Sequence, residues 1–191
     1  MPAELSDSGA VDGPAFKAAL GRFASGVTVV STLHDGVDSA TTVSAFTSVS
    51  LDPPLVLVSI GLRNRFSGPV LASGVWGVSV LREDGHGAAS WFASHGRDLT
   101  RPLRGVDHHR GPVTGVALVD AALAWLECRT WRAYDGADHV LLVGEVLAAT
   151  VAPGAASDPL LYFRSHYAGL VPWSISERTD PALDAAEGGP Q

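Results

Sequence analysis

Residues 41–54, TTVSAFTSVSLDPP, constrain the fold more than any other segment, because they have the composition of a strand and stop at two adjacent prolines. Serine and threonine recur where a strand that only filled a core would carry Val, Ile and Phe. Burying a hydroxyl group without a hydrogen-bond partner costs on the order of a few kcal/mol. The segment therefore predicts a strand whose hydroxyl groups find partners in water, in neighbouring backbone or in a polar ligand.

Composition favours one globular domain. The chain has 191 residues, of which 46% are hydrophobic and 17% charged, and no apolar run approaches the ~20 residues of a membrane-spanning helix. A net charge of -7 and a single lysine, Lys17, argue against a nucleic-acid partner. The single cysteine, Cys128, allows no intrachain disulfide, and the N-terminus lacks the basic-then-apolar pattern of a secretory signal. We expect a soluble cytoplasmic protein without a membrane partner.

The domain boundaries follow from the two polar ends. Residues 1–13 and 174–191 are small, acidic or rich in Pro and Gly, which predicts two disordered tails around a folded domain at 14–173. A short amphipathic helix should open this domain, with Asp12 as N-cap and an apolar face that ends near Gly26. A second helix is expected in AASWFAS, residues 88–94.

Strand signals dominate the rest of the domain. An Asp35-Gly36 turn joins the first two strands into a hairpin, and residues 117–134 read as a broken antiparallel pair with a turn near Asp120. The succession of strands excludes a doubly wound parallel sheet and favours a mostly antiparallel barrel. The predicted strands cover residues 27–33, a run beginning near 39, 55–60, 75–81, 117–134, 139–151 and 160–164.

Common catalytic motifs are missing from the sequence. It contains neither GxxxxGK[ST] nor GxGxxG, so the usual nucleotide-binding loops are not predicted. Its histidines show no HxxxH or HExxH spacing, and no metal site is predicted. A serine hydrolase is disfavoured by the lack of GxSxG. Cys128 lies in an apolar strand, where burial would keep it a thiol in the core.

Six separated blocks then carry a family resemblance. In chain order they are FASGVTVVST, TTVSAFTSVSLDPPLVLVSI, WGVSVL, LECRTW, DGADHVLLVGEV and PLLYFRSHYAGL. Together they resemble the flavin reductase family of the FMN-binding split β-barrel fold, over residues 16–170. The resemblance implies a mainly β, homodimeric protein with a six-stranded antiparallel split β-barrel of Greek-key type and a few flanking helices. It also implies that NADH or NADPH reduces a non-covalently held FMN or FAD for a separate flavin-dependent monooxygenase.

The resemblance assigns the flavin to two segments of the chain. Within the hydroxyl-rich segment, Thr41, Val43, Ser44, Ala45 and Phe46 would lie along the isoalloxazine ring, and Ser48, Val49 and Ser50 would face the ribityl and phosphate part. The segment after LVLVSI would reach the phosphate through Leu62, Arg63, Asn64, Arg65 and Phe66.

Two further motifs would contact the pyridine nucleotide. The Asp138-His139 pair matches the family's GDH motif, in which the histidine places the nicotinamide, and His139 is therefore the predicted catalytic residue. The YFRSHY block would add contacts from Arg164, His166 and Tyr167.

Residue chemistry alone supports part of this assignment. Small side chains let the backbone approach a flat ring, and its N–H groups can stabilise negative charge at N1 and O2 of a reduced flavin. Arg63 and Arg65 either donate to phosphate oxygens or remain in a solvated loop. Phe46 and Trp91 are expected in the core more than as stacking platforms.

The sequence departs from the family pattern in three places. Ser39-Ala40 replaces a glycine before the strand at Thr41, Ala137 replaces the glycine of GDH, and the loop LRNRFSGP, residues 62–69, has two arginines where many members carry small hydroxyl residues. Residues 97–111, RDLTRPLRGVDHHRG, are basic and rich in histidine. They either gate the site or contact a larger flavin, FAD over FMN.

Three functions stay open at this point. The first is a reductase that transfers hydride from nicotinamide C4 to flavin N5 by stacking the two rings, without an acid-base pair. A non-catalytic flavin- or haem-binding carrier or accessory protein is the second, and a purely structural dimer module is the third.

Overall fold

The computed structural model describes residues 11–94, 96, 98, 101–153 and 157–171. The predicted C-terminal tail and most of the predicted N-terminal tail lie outside these residues, as do parts of the basic segment 97–111. Three helices and twelve strands are present among the described residues. The helices are α1 (Gly13–Leu20), α2 (Ser67–Ser73) and α3 (His86–Ala93). The strands are β1 (Ser25–Gly26), β2 (Thr28–His34), β3 (Val37–Val43), β4 (Phe46–Leu51), β5 (Pro54–Gly61), β6 (Val75–Leu81), β7 (His108–Arg110), β8 (Ala117–Val119), β9 (Ala122–Gly136), β10 (His139–Val151), β11 (Leu161–Phe163) and β12 (His166–Ala168).

Seven strands form one antiparallel sheet in the order β3-β2-β6-β9-β10-β5-β4. β3 and β4 are its two edges, yet only Ser44 and Ala45 separate them in the chain. A link of this length keeps the Cα atoms of Val43 and Phe46 within about 11 Å. The sheet must therefore roll up until its edges meet at residues 44–45, and the strand order leaves the roll open between β3 and β4.

Two apolar clusters fill the two faces of β2. Val30 packs into one cluster with Trp76 and Leu142. Val29 points to the opposite face, where it packs into a second cluster with Leu81 and with Phe92 of α3. Because successive side chains of a strand alternate in direction, the first five residues of β2, all of them buried, face both clusters.

The structure confirms the prediction of a mainly β protein with few helices. It also confirms the hairpin at Asp35-Gly36, the helix in residues 88–94 and a core position for Cys128. The main sheet has seven strands among the described residues, where the resemblance implies six. None of the helices in the described part of the chain is long and apolar enough to cross a membrane.

Three local predictions differ from the structure. The first helix ends at Leu20 and not at Gly26, because Ser25 and Gly26 pair with β11. The hydroxyl-rich segment forms two strands and not one, since the chain changes sheet edge at residues 44–45. Helix α2 and strand β12 were not predicted; Pro69 stands in the first turn of α2, where proline is well tolerated.

Candidate functional site

The crossing segment, residues 44–45, leaves backbone exposed beside the rolled sheet. Ser44 and Ala45 belong to neither flanking strand, and both are exposed. The carbonyl oxygen of Ala45 accepts a hydrogen bond of 3.1 Å from the N–H of Ser59 in β5. Val43 and Phe46 on either side pack into the core, as expected for Phe46. The crossing is thus a fixed, small-residue surface that a flat ligand can approach closely.

Asn64 fastens the turn of residues 62–66 to β3. Its Nδ2 donates to Thr41 Oγ1 at 2.9 Å, and its Oδ1 accepts from the backbone N–H of Phe66 at 3.0 Å. Thr41 is only 4% exposed, and Asn64 supplies the hydrogen-bond partner that a buried hydroxyl group needs. Arg65, between the two anchored residues, remains exposed at the edge of β3.

The Asp138-His139 pair sits beside the same turn. The N–H of Leu62 donates to the carbonyl oxygen of Asp138 at 2.9 Å, and His139 pairs with Gly61 across the β5–β10 ladder. A Cβ atom built on Gly61 would lie 3.6 Å from His139 Nε2, so the imidazole rests against the bare glycine backbone. The sequence reading missed Gly61, although glycine in a strand often marks such a close approach.

Electrostatics link this pair to the 62–66 turn. The hydrogen bond between His139 Nδ1 and Asp138 Oδ1 is 2.7 Å long. This bond, and then the charge of His139, lowers the pKa of Asp138, and the charge of Arg63 adds to the effect. Asp138 is therefore held ionised, which fixes the imidazole by its Nδ1 atom and leaves Nε2 directed at Gly61.

Ser48, Val49 and Ser50 lie at the other end of the crossing segment. Ser48 pairs with Val56, and a register shift between Ser48 and Ser50 leaves Val49 outside the regular ladder. Ser48 and Val49 are exposed and Ser50 is half-buried. Val56 stands five residues before Gly61, or about 16 Å along a strand. The structure thus places these residues and the 62–66 turn on opposite sides of the crossing and does not bring them together.

The β11–β12 hairpin reaches the site through α3. Tyr167 contacts the second apolar cluster, where burial raises the pKa of its phenol and a hydrogen bond with Ser90 of α3 partly offsets that effect. Thr42 in turn donates to the carbonyl oxygen of Ala89 in α3 at 2.7 Å. Arg164 and His166 form the exposed tip of the hairpin, where His166 Nδ1 lies 2.8 Å from the carbonyl oxygen of Arg164. Tyr167 and β3 are therefore connected indirectly: each forms a hydrogen bond with α3.

A cavity and a buried thiol among the described residues contribute nothing to this arrangement. A cavity of about 540 Å³ beside α3, which includes Arg82, Trp91 and Arg104 in its lining, contains no predicted site residue. Within residues 11–94, 96, 98, 101–153 and 157–171, no group of three or more His, Cys, Asp or Glu side chains could hold a metal ion. Burial, followed by the charge of Glu127, raises the pKa of Cys128 to about 12, so this thiol is a poor nucleophile.

Comparison with known proteins decides the family. Residues 20–171 match the flavin reductase like domain. The chain belongs to this flavin reductase family. A "Flavin reductase (NADH)" of Kitasatospora aureofaciens is 38% identical, over 98% of this chain and 96% of the relative. The reductase component of 4-hydroxyphenylacetate 3-monooxygenase of Thermus thermophilus is 39% identical, over 82% of this chain and 96% of the relative.

A solved structure in the flavin reductase family extends the similarity to three dimensions. The NADH:FAD oxidoreductase of Streptomyces globisporus, solved with NAD and FAD fragments, superposes with a TM-score of 0.78 at 35% identity. The match covers 84% of this chain and 94% of that chain.

Ala137, which replaces the glycine of the family's GDH motif, adopts a backbone conformation typical of glycine. Ala137 has a φ angle of 65°, in the left-handed region that favours glycine, and its N–H donates to Asp135 Oδ1 at 2.9 Å. The turn thus keeps the glycine-type conformation despite the alanine. The departure from the family pattern therefore costs some stability.

Proposed function

We propose that the protein is an NAD(P)H-dependent flavin reductase that supplies reduced FMN or FAD to a separate flavin-dependent monooxygenase. Family membership supports the reaction class, and the name of the Thermus relative supports a partner oxygenase. The arrangement of β5 carries the proposal for this chain. The carbonyl oxygen of Ala45 accepts a hydrogen bond from Ser59, and the His139 ring packs against Gly61. Gly61 lies two residues, or about 7 Å, beyond Ser59 along β5.

The residues present fit a bound flavin. Ser44 and Ala45 are small, exposed residues that belong to neither flanking strand, and a flat ring can lie over them. When bound, the flavin supplies N5 as the acceptor of the hydride that leaves nicotinamide C4. Arg63 and Arg65 stand at the 62–66 turn and would hold the phosphate, each guanidinium as a charge-assisted donor. Ser48, Val49 and Ser50 would contact the flavin from the other end of the crossing segment.

His139 would position the nicotinamide over the crossing segment. Its Nδ1 is held by Asp138, so the exposed ring keeps one orientation. Arg164, His166 and Tyr167 would contact the remainder of the pyridine nucleotide. Hydride transfer releases no proton to a protein base, and stacking the two rings in register supplies the rate. The rolled sheet, open between its β3 and β4 edges, would be the split β-barrel of the family.

We further propose that two copies associate. Trp131 is 48% exposed and Tyr134 is 52% exposed, although both lie on β9, an interior strand of the sheet order. Leu51 at the end of β4 is 91% exposed. A second copy of the chain would cover these side chains, since large exposed apolar patches mark association surfaces. Light scattering should give the dimer mass, and Trp131→Glu should shift it towards the monomer; a wild-type monomer would contradict the proposal.

Steady-state oxidation of NADH and of NADPH, each with FMN and with FAD, tests the reductase directly. At least one of the four combinations should turn over. Retention of a flavin or a haem without NAD(P)H oxidation would instead support the carrier function, and neither turnover nor binding would leave a structural module.

The role of His139 is tested by separating turnover from flavin binding. His139→Ala should lower kcat/KM for the pyridine nucleotide by about ten- to a hundredfold, the loss expected when a reactant is misplaced by about 1 Å. Flavin affinity should stay unchanged. His86→Ala is the matched control, because His86 is exposed at the start of α3 and outside the site. Equal activity of the two variants would refute the assignment.

A further inference from the structure

A groove at the start of β3 continues the site beyond the 62–66 turn. It has a volume of about 230 Å³, and three separate parts of the chain form its walls. β3 contributes one wall, the 62–66 turn with the start of α2 another, and Pro102 the third. We call it the β3 groove; its lining includes Ser39, Ala40, Arg65, Phe66, Pro69 and Pro102.

Side-chain hydrogen bonds fix these three walls to one another. Asn64 joins the turn to β3 through Thr41, as described above. Thr42, the next residue of β3, joins the strand to α3, and Trp91 of α3 donates from Nε1 to the carbonyl oxygen of Pro102 at 2.9 Å. The groove is therefore formed without a ligand, and binding there would require little reorganisation.

The charge in the groove is set by Arg65. Asp38 also lines the groove, but both its carboxylate oxygens are bonded by Arg110, at 2.5 and 2.7 Å. This bidentate pair neutralises the carboxylate. Within the described part of the chain, no carboxylate lies in ion-pair distance of the exposed Arg65 guanidinium. A phosphate would thus meet one available cation and no competing anion.

The remaining walls suit a flat heterocycle. Phe66, Pro69 and Pro102 are apolar, and Ser39 supplies one hydroxyl group. Ligand sites commonly combine apolar walls with a few polar groups that set orientation. The volume is below that of a site for a whole drug-sized ligand, which is about 300–1,000 Å³. One ring with its sugar and phosphate, an adenylate, matches both the size and the charge.

The position of the groove relates the adenylate to the flavin. Ala40 lines the groove and Ser44 begins the crossing segment, four residues or about 13 Å further along the strand. Thr41, bonded to the turn, stands between them. A phosphate at the turn therefore has the crossing segment on one side and the β3 groove on the other, as a dinucleotide flavin requires.

We propose that the β3 groove binds the adenylate half of FAD, which makes FAD the preferred flavin of this reductase. The proposal rests on the proposed function, because it takes the crossing segment as the place of the flavin ring. NADH also contains an adenylate, and the test separates the two sources. FMN, which lacks an adenylate, is the matched ligand.

Equilibrium titration of the full chain with FAD and with FMN tests the proposal without requiring turnover. The wild type should bind FAD more tightly than FMN. Ser39→Leu, which fills the groove, should reduce the FAD preference about tenfold. Arg63→Ala and Arg65→Ala are the matched controls: both guanidinium groups would hold the phosphate that FMN and FAD share, so each variant should weaken both flavins and leave the preference unchanged.

Each contrary result has a distinct meaning. Equal affinity of the wild type for both flavins, or equal weakening of both by Ser39→Leu, would overturn the adenylate groove. A raised KM for NADH in the Ser39→Leu variant, with FAD affinity unchanged, would assign the groove to the pyridine nucleotide and overturn the proposal for FAD. Selective FAD binding without NAD(P)H oxidation would uphold the groove and refute the reductase function alone.

Discussion

Replacing Asn64 with alanine should loosen the 62–66 turn from β3 and weaken the flavin site at a distance from the ring. The change removes the bond from Nδ2 to Thr41 at 2.9 Å and the bond from Phe66 N–H to Oδ1 at 3.0 Å. Each hydrogen bond contributes about 1 kcal/mol to stability, so the free energy of unfolding should fall by about 2 kcal/mol. The Thr41 hydroxyl, only 4% exposed, is left without its partner and adds to this cost.

The expected loss is large enough to measure as a melting temperature. For a domain of this size, about 2 kcal/mol corresponds to a decrease of about 4–8 °C. Thermal unfolding followed by circular dichroism, at one fixed protein concentration, would give the value. Flavin affinity, measured by quenching of flavin fluorescence, should fall about tenfold, because a mobile turn must be ordered on binding at a cost of one or two kcal/mol.

Asn64→Asp is the control that separates the hydrogen bonds of residue 64 from the effect of a negative charge at this position. Its carboxylate still accepts from the N–H of Phe66, and the Thr41 hydroxyl can rotate to donate to the other oxygen. The melting temperature should therefore stay close to that of the wild type. Flavin affinity should fall further than in Asn64→Ala, since the new negative charge faces the phosphate. A wild-type melting temperature for Asn64→Ala would refute the fastening role, and equal flavin affinity of both variants would refute a phosphate at the turn.

Three further predictions concern the backbone and the core. Ala137→Gly should raise the free energy of unfolding by about 0.5–1 kcal/mol in urea titrations, because it relieves a left-handed alanine; no gain would mean that the turn tolerates alanine freely. Gly144→Ala should lower it by about 1–3 kcal/mol, since the new Cβ would lie 2.2 Å from an atom of the buried Trp76 ring; a neutral result would place Trp76 elsewhere. The raised pKa of Cys128, about 12 against an ordinary value of 9.0, means that the unfolded chain loses this proton first. Its stabilising contribution is therefore complete below pH 9.0 and declines as the pH rises towards 12. Cys128→Ala should show a smaller alkaline loss of stability than the wild type, and parallel curves would contradict this.

Strands whose boundaries depend on local pattern could be predicted from the sequence. β10 begins at His139 and ends at Val151, as its apolar run predicts. The break between β8 and β9 falls at the expected Asp120 turn. Turn residues and apolar runs determine these boundaries locally. They can therefore be predicted without knowledge of the sheet order.

Features that depend on the sheet order could not be predicted. The break at residues 44–45 exists because β3 and β4 are opposite edges of one rolled sheet, and nothing in TTVSAFTSVS marks that position. The contact of His139 with Gly61 joins residues far apart in the chain and follows from the β5–β10 register alone. The apolar face of α1 is a further example. Phe16 and Leu20 have helical spacing but are 54% and 56% exposed, so periodicity identified the helix but not what covers it.

The hydroxyl groups that made residues 41–54 unusual divide into two kinds in the structure. Thr41 and Thr42 are engaged by Asn64 and by α3, so they hold two neighbouring elements against β3. Ser44 and Ser48 are exposed along the crossing and β4, where small size matters as much as polarity. A chain that passes from one sheet edge to the other must leave backbone outside the ladder at the crossing. Threonines that position the site and small residues at the crossing therefore serve one topological requirement.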